Sequence, residues 1–65
     1  MRILTWQARR KRGLTLHQLE ALTGIGKTTL NNIENGRVSP TLQELEIIAR
    51  ALNVRISDLY ESEYK

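Results

Sequence analysis

Leu16-His17-Gln18-Leu19-Glu20-Ala21-Leu22-Thr23-Gly24-Ile25-Gly26-Lys27-Thr28-Thr29-Leu30-Asn31-Asn32-Ile33-Glu34-Asn35-Gly36 is the stretch whose reading decides the fold. Thr15, immediately before it, and Gln18 form a capping box that starts a helix over residues 16–23. Gly24 supplies a left-handed turn residue, Ile25 dips inward, and Gly26 serves as N-cap of a second helix over residues 27–34. There Leu30 and Ile33 fall three apart and face inward, which leaves Lys27, Thr28, Asn31 and Asn32 outward. Asn35-Gly36 reads as a helix C-cap, because no alternating strands flank it. Two short helices set at an angle by a glycine turn can press one helix into a DNA major groove.

Outside this unit the pattern stays helical. The sequence predicts a first helix over residues 3–12, stopped by Gly13, with Met1, Leu4, Thr5 and Ala8 on an inward face and Arg9 at its edge. Ile3 and Trp6 point the other way. After the loop Arg37-Val38-Ser39-Pro40, a second capping box pairs Thr41 with Glu44. Leu42, Leu45, Ile48, Ala49 and Leu52 then form an apolar stripe of helical period, ended by Asn53. Val54 and Ile56 plug the core, and Ser57 is expected to cap a short fifth helix carrying Leu59 and Tyr60. No segment reads as a strand, so the expectation is an all-α chain of five helices.

Sixty-five residues make one domain spanning 1–65, too small for a second core. Such a chain buries only about 60 % of its unfolded surface, so dimerisation would help its stability. Absence of cysteine excludes disulfides and thiolate zinc sites, and His17 cannot hold a metal alone. No metal and no cofactor are expected. The longest apolar run near the start, Ile3-Leu4, is too short for a signal peptide or a membrane span, which makes a cytoplasmic location the default. The net charge of +3 is unevenly distributed. Residues 1–40 carry Arg2, Arg9, Arg10, Lys11, Arg12, Lys27 and Arg37 against Glu20 and Glu34, a net +5. Residues 41–65 carry Arg50, Arg55 and Lys65 against Glu44, Glu46, Asp58, Glu61 and Glu63, a net −2. The positive half suits phosphate; the remainder suits packing and association.

Gly13-Leu14-Thr15, Gly24-Ile25, Ile33-Glu34-Asn35-Gly36, Pro40-Thr41-Leu42 and Ala49-Arg50-Ala51-Leu52-Asn53-Val54, in this order and spacing, resemble the Cro/Xre-type helix-turn-helix family of phage and bacterial repressors. The likeness covers about residues 4–60. It implies a five-helix, lambda-repressor-like domain with its helix-turn-helix at about residues 16–35. At two positions the chain departs from the family pattern. Glu20 stands where the family usually has Ala, so it must bend outward or widen the contact between the two helices. Gly26 replaces the usual Ser or Thr, at a cost of only about a few tenths of a kcal/mol.

In the resembling repressors, the positions matching Lys27, Thr28 and Asn32 read bases. The chemistry agrees: Lys donates to guanine O6 or N7, Asn pairs with the adenine edge, and Thr offers a hydroxyl and a methyl. Phosphates are expected at the start of the 16–23 helix, beside Thr15 and His17, where free backbone N–H groups favour an anion. Thr29, Asn31, Asn35 and Arg37 would clasp the DNA backbone on the other side, with Arg37 alternatively entering the minor groove. Arg9 and Glu34 resemble the family's structural ion pair.

One short reading helix sees few base pairs, so a twofold homodimer is expected on a palindromic operator, with half-sites about 10 base pairs or roughly 34 Å apart. Its surface is expected to use Leu59, Tyr60 and Tyr64, with Trp6 and Ile3 as further candidates. Gly-Ile-Gly-Lys-Thr-Thr at 24–29 imitates the end of a phosphate-binding loop, but a P-loop needs glycine where Ala21 stands and a preceding strand. No Ser/His/Asp or paired-carboxylate arrangement suggests an enzyme. The leading expectation is a repressor on double-stranded DNA; the alternative is an antitoxin-like module that also binds a protein partner. Membrane-surface binding fails because the apolar residues of the first helix do not form one face.

Overall fold

The computed structural model describes residues 1–65. Its elements run β1 (Arg2–Ile3), α1 (Thr5–Lys11), α2 (Leu16–Thr23), α3 (Lys27–Glu34), α4 (Leu42–Leu52), a 3₁₀ turn (Ile56–Leu59) and β2 (Tyr60–Glu61). There are thus four α-helices, a 3₁₀ turn and a small terminal ladder, in place of five helices.

Local chemistry starts α2 and α4. Thr15 Oγ1 accepts from Gln18 N at 3.1 Å while Gln18 Oε1 accepts from Thr15 N at 2.8 Å. Thr41 and Glu44 repeat the arrangement at 3.0 and 2.9 Å. Each box satisfies N–H groups that a helix start otherwise leaves unpaired. The end of α3 is closed by a Schellman motif: Arg37 N donates to Asn32 O at 2.9 Å and Gly36 N to Ile33 O at 3.2 Å. Gly36, at φ 73°, takes the left-handed conformation this requires. Asn53, at φ 56°, ends α4 in the same region, tolerable for a residue that can bond locally.

The core gathers Leu19 of α2, Leu30 of α3, Leu45, Ile48, Ala49 and Leu52 of α4, and Leu59 of the 3₁₀ turn. Ala8, Leu14, Leu16, Ile25, Val54 and Ile56 pack around it, and Ile33 is buried as well. Leu42, expected in the α4 stripe, is instead 75 % exposed, because at the first helical position its side chain projects past the end of the core. Met1 also lies outside the core at 82 % exposure: the chain before α1 is extended, so helical phase does not apply to it.

Strands appear where none was expected. Arg2 pairs with Glu61 and Ile3 with Tyr60 in an antiparallel ladder, continued by Leu4 N donating to Leu59 O at 2.8 Å. The pairs match charge with charge and a β-branched with an aromatic side chain, both favourable across strands. Helix α1 consequently begins at Thr5 and not at Ile3. The fifth helix is a single 3₁₀ turn whose N-cap is Arg55, not Ser57, with Arg55 N donating to Asp58 Oδ2 at 3.0 Å.

Candidate nucleic-acid interface

With Leu30 and Ile33 at most 1 % exposed, α3 presents its opposite side to solvent. Lys27, Thr28 and Thr29 are exposed in its first turn, while Asn31 and Asn32 are half-buried along the flank. Thr28 and Asn32 lie one turn apart, hence on one face, and Lys27, Asn31 and Asn35 follow the same four-residue spacing. Asn35 Nδ2 donates to Asn31 Oδ1 at 3.3 Å, which orients both amides along the surface. Arg37 is exposed just beyond the helix. Five of these seven residues are exposed and two half-buried, and the one bond between Asn31 and Asn35 leaves both amides further donors or acceptors for a ligand's edges.

At the start of α2, Thr15 and His17 are exposed beside the helix's opening N–H groups. His17 Nε2 lies 3.2 Å from Lys27 Nζ. An ammonium only donates, so the ring nitrogen is the acceptor in this contact. It also draws the ends of α2 and α3 into one cluster: His17 from α2, Lys27 from α3.

Glu20 completes that cluster. Its Oε2 accepts from Lys27 N at 2.8 Å, so the carboxylate bends outward, over the turn and onto the start of α3. Gly26, the N-cap, has no side-chain oxygen to do so. Thr23 is a second residue that sequence reasoning passed over. Its hydroxyl donates to Leu19 O at 2.8 Å and accepts from Ile25 N at 3.1 Å, bridging the end of α2 to the turn. The position of Thr23 beside Gly24, a site favouring hydroxyl turns, was the available signal. For Glu20 the signal was its spacing seven residues before a helix start lacking a polar cap.

The other end of α3 is tied to α1. Arg9 Nε donates to Glu34 Oε2 at 2.6 Å and Arg9 Nη2 to Glu34 Oε1 at 3.1 Å, while Arg9 Nη1 donates to Leu14 O at 2.8 Å. The side chains are 9 % and 4 % exposed. A bidentate, desolvated pair of this kind fixes geometry as well as charge. It lies on the inward side of α3, away from the outward residues.

The residues expected at a dimer surface separate. Leu59 is fully buried in the core and cannot serve there, because the 3₁₀ turn points it inward between α1 and α4. Tyr60 is half-buried in β2 and Tyr64 is 90 % exposed. Trp6 is partly exposed with the Arg10 guanidinium 5.4 Å from its ring centre, and Ile3 is half-buried in the ladder.

A family model described as helix-turn-helix matches residues 7–59. The chain belongs to the Cro-type helix-turn-helix family. An uncharacterized HTH-type transcriptional regulator of Archaeoglobus fulgidus is 35 % identical over 60 residues, covering 92 % of this chain and 86 % of that protein. The HTH-type transcriptional regulator SutR of Escherichia coli is 43 % identical over 51 residues, 78 % of this chain but 29 % of SutR. The chain therefore spans most of the archaeal relative and under a third of the bacterial one. Among solved structures, the N-terminal DNA-binding domain of SinR from Bacillus subtilis superposes with a TM-score of 0.80 at 27 % identity, covering 94 % of this chain and 90 % of that one. No helix is long and apolar enough to cross a membrane.

Proposed function

We propose that this helix-turn-helix chain is a sequence-specific regulator of transcription that binds double-stranded DNA by seating α3 in the major groove. The observation that carries this reading is the free, polar outward face of α3, backed by buried Leu30 and Ile33. Lys27, Thr28 and Asn32 read base edges. Thr15 and His17 at the α2 start, with Thr29, Asn31, Asn35 and Arg37 flanking α3, hold phosphates and fix register. Support comes from the basic N-terminal half and from the likeness to SinR's DNA-binding domain. Before Lys27 can reach a base, its ammonium must leave His17; that exchange is cheap because both groups are exposed.

The protein acts as a homodimer on a palindromic operator and blocks promoter access. The β1–β2 ladder, with Tyr60 and Tyr64, is the surface proposed for pairing, since Tyr64 is 90 % exposed beside it. Sedimentation on operator DNA is expected to give two chains per site; one chain per site overturns the dimer.

Binding to a random duplex should weaken steeply with salt, log K falling by about 0.9 per phosphate contact against log salt. Affinity that ignores salt removes the proposal. On an operator selected from random oligonucleotides, Lys27→Ala or Thr28→Ala should cost about 1–3 kcal/mol and relax preference at one position, whereas Arg37→Ala should weaken all duplexes alike.

A further inference from the structure

We infer that Glu20 is a positioning residue for base recognition: it caps α3 from α2 and holds the turn bearing Lys27 and Thr28 in its reading conformation. The inference rests on the proposed base reading by α3 and adds a residue outside that set. Helix starts leave N–H groups unpaired, and a side-chain oxygen at the N-cap ordinarily takes one of them. Gly26 offers no such oxygen. Glu20 Oε2, at 2.8 Å from Lys27 N, takes a neighbouring unpaired N–H, that of the first residue of α3, and its charge is complementary to the positive end of the helix. The residue so held is the one whose side chain leads into the groove. Loss of this contact frees the first turn, Lys27, Thr28 and Thr29, while the other phosphate-holding residues, Thr15, His17, Asn31, Asn35 and Arg37, keep their places. Specific binding, which loses two base readers, therefore suffers more than non-specific binding, which loses one contact of several.

Gly26 makes the idea testable by rescue. Its backbone, at φ −58° and ψ 144°, is open to any residue, and a Cβ there would meet Glu20 Oε2 at 3.9 Å, an ordinary contact. Gly26→Ser can thus cap the start of α3 through the N–H of Thr28 or Thr29. The experiment compares the wild type, Glu20→Ala, Glu20→Gln and the double variant Glu20→Ala/Gly26→Ser for affinity toward a selected operator and a random duplex, and for amide exchange at Lys27 in the free protein. Glu20→Ala should lose roughly fivefold in the ratio of operator to random-duplex affinity, the equivalent of one lost N-cap, since removal of the charge itself acts on both duplexes alike. Exchange at Lys27 should accelerate while that at Leu30 holds. The double variant should recover the affinity ratio, and Glu20→Gln, which retains an acceptor oxygen, should lose less than Glu20→Ala.

Glu20→Ala lowering both affinities by one factor, or the double variant failing to recover discrimination, overturns the inference alone. A wild type that binds every duplex equally overturns base reading itself, and this inference with it. Should Glu20→Ala fail to fold, Glu20→Gln and the double variant carry the same comparison.

Discussion

Helices α2 and α3 stand side by side in one motif, yet they are held in opposite ways. α2 starts on its own capping box, Thr15 with Gln18, both within one turn of the helix they open. α3 starts on glycine and borrows its cap from Glu20 in α2; its end is anchored by Glu34 to Arg9 in α1. The scaffold helix is locally specified, the proposed reading helix is clamped at both ends by charged groups from elsewhere. Clamping from outside leaves the outward side of α3 with surface contacts alone, Lys27 with His17 and Asn35 with Asn31, so its side chains can be chosen for a ligand.

The sharpest way to break this contrast is at the inner clamp. Arg9→Ala leaves the Glu34 carboxylate buried without a partner and Leu14 O without its donor, and should cost about 3–5 kcal/mol in urea denaturation. That is comparable to the whole stability of a domain this size, at the lower end of about 5–15 kcal/mol. An unchanged midpoint would show that α3 does not depend on α1. Exchanging the two charges should restore only part of the loss, because Leu14 O would then face a carboxylate. Next in size, Thr15→Ala and Thr41→Ala each remove a local cap and should cost about 1 kcal/mol, moving Tm by roughly 4–8 °C. Thr15→Ala should also weaken DNA binding, whereas Thr41→Ala should leave it unaltered once melting is accounted for; equal effects on binding would erase the distinction between the α2 start and the rest of the scaffold. Smallest is Leu42→Ala, within about 0.5 kcal/mol by thermal melting, since its side chain already faces water.

The same contrast explains what could be read in advance. Capping boxes, the turn at Gly24 and the α4 stripe through Leu45, Ile48, Ala49 and Leu52 are written within three or four residues of one another, and the structure has each of them. Leu42 and Met1 strayed because periodicity says nothing of where an element ends. Tyr60 belongs to a strand two residues long, shorter than any window in which alternation can be recognised. The ion pair of Arg9 and Glu34 entered only through family likeness, since a separation of 25 positions carries no local signature.

By itself, then, the amino-acid sequence determined helices α2, α3 and α4, the capping boxes of α2 and α4, and the two buried residues that turn the rest of α3 outward, because hydrogen bonds and apolar repeats at one-turn spacing act within a single element. Only the tertiary structure decided that Glu20 reaches Lys27, that Leu59 is core and not surface, and that Arg2 meets Glu61 across the closed chain. Each of those depends on where packed helices bring distant backbone together, and short-range preferences hold no information about that distance.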